Sequence, residues 1–328
     1  MVIPTLAADS RLLECVESLG RQTRRDLEVI VVDNSGKGLA RRSGAGGARI
    51  LESSSNVGFG AAANRGIEAS RAPFVAVLND DAVADTRWLE ALLKAIERRP
   101  DAGMCASQVR LFGEHRLDSA GMLLARDGVA KQRGHGRPPE DFPVAEEALF
   151  PSGSAALYRR AMLDQIGGFD ESFFLYCEDT DLGLRARWAG WKCLYVPDAV
   201  VEHHYSHSAG RASPVKAYFV ERNRLFVLAK NFPLRMLLAA PFVTLARYWW
   251  HLAYLFQGRG SAARFRAEGN AGPRMLWFVL RAHVALLLHS RRLWRQRSAI
   301  RRAARITPLI FRRLIEGYSI SARRVAAQ

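Results

Sequence analysis

Short apolar runs alternate with amphipathic stretches through the first hundred residues. Met1–Thr5, Leu27–Val32, Arg49–Glu52 and Phe74–Leu78 read as strands. Ser10–Gln22, Phe59–Ser70 and Asp85–Arg98 carry apolar positions at helical spacing, the last with acidic residues early and basic ones late, as the helix dipole favours. This order predicts an α/β fold with a mostly parallel central sheet flanked by helices on both faces. Ligands of such sheets bind beyond the carboxyl ends of the strands. There the chain places Pro4-Thr5, Asp33-Asn34 and Asn79-Asp80-Asp81, so three polar strand ends mark the expected crevice.

From Ala102 to Arg160 the pattern breaks into short segments around Gly113, Gly121, Gly128, Gly134 and Gly136, as irregular strands and hairpins forming the other wall of the cleft would. Leu149–Tyr158 reads as an interrupted strand, and Trp191–Pro197 and Ala199–His204 as two further extended segments. After the polar loop Ser206–Pro214 the pattern changes. Val215–Lys230 is helical, Leu234–Gln257 and Met275–Leu288 are apolar with arginine or histidine interposed, and Arg291–Arg324 carries arginine at helical spacing.

Charge sharpens this division. Residues 1–200 carry 25 Lys and Arg against 28 Asp and Glu, whereas residues 201–328 carry 23 against 4. The expected domains are therefore residues 1–205, which hold the chemistry, and residues 206–328, a basic amphipathic helical appendage. Such an appendage suits an anionic membrane surface. A helical subdomain, a dimer interface or a nucleic-acid arm are the alternatives, the last disfavoured because the arginines are interleaved with Leu, Ile and Trp. No charge-free apolar stretch is long enough for a membrane span. The four cysteines are scattered without a Cys-x-x-Cys pair, which suggests buried thiols in a reducing compartment. The chain opens inside its first strand with no basic segment ahead of it, so it reads as cytosolic, with a first strand shorter than usual.

Three constellations carry candidate chemistry. Glu178-Asp179-Thr180-Asp181 follows an aromatic run and opens a helical pattern, which places carboxylates at a helix N-terminus either as caps or as a general base at a cleft edge. Asn79-Asp80-Asp81 ends an apolar strand and offers hard oxygen ligands for Mg²⁺ or Mn²⁺, or else forms a solvated turn. Gly58-x-Gly60-x-x-Ala63, with Asp80 further on at a strand end, matches a dinucleotide fingerprint and raises a nicotinamide-dependent oxidoreductase as a rival. Two strands precede that fingerprint, however, and the rival leaves Asp33 and the Glu178–Asp181 cluster without a role.

Taken in order, seven motifs resemble the family 2 inverting glycosyltransferases, which have a nucleotide-diphospho-sugar transferase fold. They are the Ile3-Pro4-Thr5 strand, Val32-Asp33-Asn34-Ser35, Asn56 to Gly66, Leu78 to Asp81, Gly167 to Glu171, Glu178 to Leu182, and Pro197-Asp198-Ala199 with the histidines after it. The likeness spans residues 1–204 and is strongest to a rhamnosyltransferase-like branch that builds cell-surface polysaccharide, which Arg222-Asn223-Arg224 also fits. The resemblance implies that Pro4, Thr5 and Asp33 contact the base and ribose. It implies that Asn56, Gly58 and Asn64 line the nucleotide pocket, and that Asp81 binds the metal with Asn79 and Asp80 in support. Asp80 stands where proline is frequent in that branch. Asp179 is the implied base with Glu178 beside it, and His203 or His204 lies near metal and diphosphate, the bland reading of that pair being buried strand-end residues. The implied reaction is metal-dependent transfer of a sugar from a nucleoside diphosphate to a glycan or lipid-linked hydroxyl, with inversion. It is expected at the cytoplasmic face of the inner membrane. A non-catalytic membrane-binding protein on the same scaffold is the remaining alternative.

Overall fold

The structure, a computed structural model, describes residues 1–6, 10–44, 47–204, 214–267 and 273–327. By internal contacts the chain divides into two units, Met1–Met122 with Gln132–His207, and Leu123–Lys131 with Ser208–Gln328. The first runs β1 (Val2–Thr5), α1 (Arg11–Gly20), β2 (Ile30–Asp33), α2 (Leu39–Arg42), β3 (Arg49–Glu52), α3 (Phe59–Ala69), β4 (Phe74–Leu78), β5 (Ala82–Ala84), α4 (Trp88–Glu97), β6 (Ala102–Leu111) and β7 (Leu117–Ser119). The hairpin β8 (Met122–Leu124) and β9 (Ala130–Gln132) follows, its tip belonging to the second unit. Then come β10 (Glu146–Ala148), β11 (Ala155–Arg159), α5 (Arg160–Ile166), α6 (Glu178–Trp188) and β12 (Lys192–His203).

The sheet order is β10-β12-β6-β11-β4-β1-β2-β3, with β5 on β12 and β7 on β6. The half formed by β4, β1, β2 and β3 is parallel. Its inner strands are near-continuous apolar runs buried on both faces, as a parallel sheet between helices requires. Ile3, Val31 and Leu78 pack with Leu12, Cys15 and Leu19 of α1 and Trp88, Leu92 and Ile96 of α4. Val2 points the other way, against Gly66 of α3, where an added Cβ would lie 2.3 Å from Val2 Cγ1. Alternation along β1 thus puts helices on both faces.

Beyond β4 the sheet is mixed. β11 enters antiparallel between β4 and β6, and β12 runs parallel to β6. The two extended segments read before His204 are one strand, which breaks register between Val196 and Val200. Pro197 lies in that gap, where it has no N–H to offer the ladder.

The second unit contains α7 (Pro214–Asn231), α8 (Leu234–Phe256), α9 (Gly260–Ala267), α10 (Pro273–Leu288), α11 (Ser290–Arg302), α12 (Pro308–Gly317) and α13 (Ala322–Ala327). At its centre lies a buried charge network. Arg247 donates to Asp127 Oδ2 at 2.6 Å, Arg224 donates to the Asp127 carbonyl at 2.7 Å and pairs with Glu221, and the Tyr248 hydroxyl donates to Glu221 at 2.7 Å. Arg224, from the Arg222-Asn223-Arg224 motif, is therefore a core residue. Burial alone would raise the Glu221 pKa, but the facing arginines bring it down to about 2. The hairpin tip joins this unit through Ala125 and Val129, which pack with Ile320 and Val325. Leu238, Phe242, Leu245 and Trp249 form an exposed row along α8, and Leu276, Leu280, Val284 and Leu287 another along α10. No described helix is long and apolar enough to cross a membrane.

Candidate active site

The ends of β1 and β4 meet where the parallel sheet predicts a crevice. Thr5 donates from Oγ1 to Asp80 Oδ2 at 2.6 Å, tying the two strand ends together. Pro4 precedes it, buried in the sheet. Asp81 is buried, and its Oδ1 lies 3.1 Å from His203 Nε2. Asn79 Nδ2 is 3.2 Å from the same nitrogen. The other ring nitrogen, Nδ1, is 2.9 Å from Asp118 Oδ2, so a carboxylate behind the ring fixes which nitrogen faces Asp81. Burial alone would lower the His203 pKa, but Asp118 and Asp81 together push it up to about 10. Asp81 is held below the ordinary carboxylate range by the same ring against the opposing effect of burial.

His203 and His204 do different work. His203 pairs with Ala82 in the ladder and turns toward Asp81, whereas His204 stacks on Phe112 with ring centroids 3.8 Å apart and faces Glu14 at 3.4 Å. Successive side chains at a strand end leave on opposite sides, so only one of the two reaches the carboxylate. His203 thus makes the close contact, while His204 is near enough for its charge to help lower the Asp81 pKa.

The residues fit a divalent ion. Asp81 Oδ1 is a buried acceptor with no aligned hydrogen-bond donor, and it sits beside an imidazole nitrogen. A hard oxygen and an imidazole suit Mg²⁺ or Mn²⁺, and such an ion can displace the proton from Nε2. Among the described residues no group of three or more His, Cys, Asp and Glu side chains forms a cage. A site of this kind relies on phosphate and water oxygens for its remaining ligands.

The acid pair stands one loop away. Gly153 and Ser154 link the two clusters: the Ser154 carbonyl accepts from Asn79 N at 2.9 Å, while Gly153 N donates to Asp179 Oδ2 at 2.9 Å. Asp179 also accepts from Thr180 N at 2.6 Å and from Thr180 Oγ1 at 3.2 Å. Glu178 is buried with its Oε2 lacking any donor. Burial, then the neighbouring Asp179 charge, pushes the Glu178 carboxyl up to about 8. Asp179 is also raised by burial, but its donors oppose the shift. Burial thus raises both carboxyls at the N-terminus of α6, Glu178 without a donor and Asp179 with three that favour its charged form.

The loop before α6 is strained. Phe174, Tyr176 and Cys177 all have positive φ, at 64°, 69° and 65°. Residues of this kind cost about 1–3 kcal/mol each and persist only where their surroundings over-determine them. Here the surroundings are Gly58 and the start of α3. Phe59 N donates to the Phe174 carbonyl at 2.7 Å, and a Cβ on Gly58 (φ 89°) would lie 2.4 Å from that oxygen. Asp181, in the first turn of α6, pairs with Arg185 at 2.8 Å, and Arg185 donates to the carbonyls of Ile166, Gly167 and Gly168.

These contacts revise several expectations. The close approach allowed by Gly58 is filled by the backbone of Phe174, and a Cβ on Gly60 would stand 3.1 Å from Phe169 Cβ. The glycines of the Gly58-x-Gly60-x-x-Ala63 run therefore serve chain packing. Asn64 spends its amide on the Phe169 backbone, donating to O at 2.9 Å and accepting from N at 2.8 Å, so it holds the Gly167–Glu171 turn. Asn56 Oδ1 accepts from Asn34 Nδ2 at 3.0 Å and from Gly58 N at 2.9 Å. Asp33 is buried and accepts from the backbone of Ser35 and Ala40, which depresses its pKa against the effect of burial. An open hollow of about 640 Å³ lies just beyond it, lined by Lys37, Arg41, Arg42 and Ser53. Asp118 and Gly153 are site-building residues that no local pattern announced.

Comparison with known proteins agrees with this architecture. The Glycosyl transferase family 2 model matches residues 1–167, just over half of the chain, and the chain belongs to that family. It is 34% identical over 237 residues to the N-acetylglucosaminyl-diphospho-decaprenol L-rhamnosyltransferase of Mycobacterium tuberculosis, covering 64% of this chain and 77% of that one. It is 25% identical over 215 residues to the O-antigen chain rhamnosyltransferase of Salmonella anatum, covering 63% of this chain and 66% of that one. The fold is shared with the crystal structure of GalNAc-T7 with UDP, GalNAc and Mn²⁺, at a TM-score of 0.59 and 13% identity over 88% of this chain. The present chain spans 56% of that structure's length. The protein is thus a glycosyltransferase related to rhamnosyltransferases of cell-surface polysaccharide synthesis, and the oxidoreductase reading falls away.

Proposed function

We propose that the chain transfers a sugar, rhamnose by its relatives, from a nucleoside diphosphate to a hydroxyl of a lipid-linked glycan, with inversion at the anomeric carbon. The observation that carries this reading is the buried acid pair, Asp179 held by donors from Gly153 and Thr180 next to a Glu178 that has none, one loop from Asp81 and His203. Asp179 accepts the proton of the acceptor hydroxyl, whose oxygen forms the new glycosidic bond as the bond to the nucleoside diphosphate breaks. Attack comes from the face opposite the leaving group, so one displacement inverts the centre. Glu178, whose carboxyl is pushed up by burial, limits the negative charge that meets the anionic donor.

Asp81 and His203 would hold Mg²⁺ or Mn²⁺, with Asn79 and Asp80 supporting that strand end. When bound, the ion supplies positive charge to the departing diphosphate. Asp118 orients His203 for this task, and Thr5 anchors Asp80. Pro4, Asp33 and Asn56 shape the strand ends where the nucleotide would lie. The basic second unit would keep the enzyme peripheral on the cytoplasmic face of the inner membrane, where a lipid-linked acceptor resides.

The test is nucleoside-diphosphate release from UDP-, GDP- and dTDP-sugars with Mn²⁺ or Mg²⁺ and a lipid-linked acceptor. One donor is expected to turn over. Asp179→Asn should lower kcat about 10²–10⁴-fold while donor binding, read by calorimetry, stays within about twofold. Full activity in that variant would remove Asp179 as the base.

A further inference from the structure

The second unit carries an arginine cluster that the charge network at its centre does not use. Arg222 of α7, Arg281 of α10 and Arg292 of α11 converge on two aromatic rings. Arg222 and Arg281 both lie over Tyr218, their Cζ atoms 5.7 and 4.4 Å from its centroid. Arg222 and Arg292 both lie over Phe226, at 5.3 and 5.6 Å. Arg222 also stacks on Phe219 at 4.6 Å. Three cations from three helices are therefore held side by side on aromatic faces. The Arg222 pKa is lowered by burial, an effect that Tyr218 opposes and the like charges of Arg292 and Arg281 reinforce.

Like charges gathered in this way cost free energy unless an anion joins them. The buried cations Arg224 and Arg247 in the same unit have Glu221 and Asp127 as partners. Among the described residues no carboxylate pairs with Arg281 or Arg292. Arg292 Nε and Nη2 are buried and have no acceptor. Planar guanidinium forks of this kind match phosphate oxygens two at a time. The surroundings narrow the class of anion further. Arg281 interrupts the exposed apolar row of α10, with Trp277 and Leu280 on one side and Val284 and Leu288 on the other. An anion bound at the cluster would thus lie next to an uncovered hydrocarbon-like surface.

We infer that Arg222, Arg281 and Arg292 form a binding site for the diphosphate headgroup of a lipid, with the exposed row of α10 lying along its apolar chain. This rests on the transferase reading above and names the part of the acceptor that the second unit would grip. It differs from general attraction to an anionic surface, because three arginines among the 48 basic residues would carry a selective contact.

The full chain is tested by flotation with phosphatidylcholine vesicles containing a long-chain prenyl diphosphate, and with vesicles containing phosphatidylglycerol at equal surface charge. The variant Arg222→Gln/Arg281→Gln/Arg292→Gln is compared with Arg291→Gln/Arg295→Gln/Arg313→Gln, which removes the same charge from exposed positions. The first variant should lose at least tenfold in affinity for prenyl-diphosphate vesicles, the second less than twofold, and both should lose equally on phosphatidylglycerol. Inorganic diphosphate should displace the wild type from prenyl-diphosphate vesicles, whereas sulfate at equal ionic strength should not. Equal losses in both variants on both vesicles would overturn the inference, as would displacement by sulfate. The single exposed variant Arg281→Gln gives the same reading should the triple variant melt early. Binding is measured without donor or metal, so its outcome is separate from that of the Asp179→Asn assay.

Discussion

At the scale of single residues, the burial of Glu178 beside Asp179 is the feature with the most consequence. Burial, then the Asp179 charge, pushes the Glu178 carboxyl up from an ordinary value of 4.5 to about 8 in the folded chain. Between those values the folded state holds a proton that the unfolded chain has released. This group's contribution to stability is therefore lost as pH rises through that window, and is fully restored below it. Glu178→Gln removes the dependence. Calorimetry should show a melting temperature several degrees above wild type at pH 8 and equal to it near pH 4.5. A difference of the same size at both pH values would mean that the Glu178 carboxyl is not raised in the folded chain.

Elements place these residues, and here the sequence was legible in part. The parallel half of the sheet followed from apolar runs whose burial on both faces leaves no alternation to read. β11 gave no such signal, because its five residues look the same in either direction, and only the register opposite β4 makes it antiparallel. Asp118 was hidden for a similar reason: it sits on a three-residue strand, and its partner His203 is 85 positions away. The clasp made by Asn64 was equally hidden, because the backbone it holds lies 105 residues downstream. Gly58 shows the same long-range logic, since it looked like a pocket glycine and is in fact the seat of the strained loop. Gly58→Ala meets both the positive φ and the Phe174 carbonyl, so urea unfolding should show a loss of about 2 kcal/mol or more. A loss below about 0.5 kcal/mol would mean that the loop is not held from this side.

Over the whole molecule, charge is segregated along the chain, with 23 basic and 4 acidic residues after position 200. Together with the exposed rows on α8 and α10, this predicts binding to phosphatidylglycerol vesicles at low salt. The attraction should weaken more than tenfold near 1 M salt, where screening acts over about 3 Å. No flotation at low salt would remove the membrane from the picture. The hairpin tip Leu123–Lys131 has a further consequence, in time and not in space. Leu124 bonds with the backbone of Tyr318 and Ile320, and Ala125 and Val129 pack on Ile320 and Val325. During synthesis these partners leave the ribosome roughly 190 residues after the tip, a delay of roughly 10–40 s at ordinary translation rates. Throughout that interval the nascent chain presents an apolar loop whose seat has not yet been made, a natural point for chaperones to engage it.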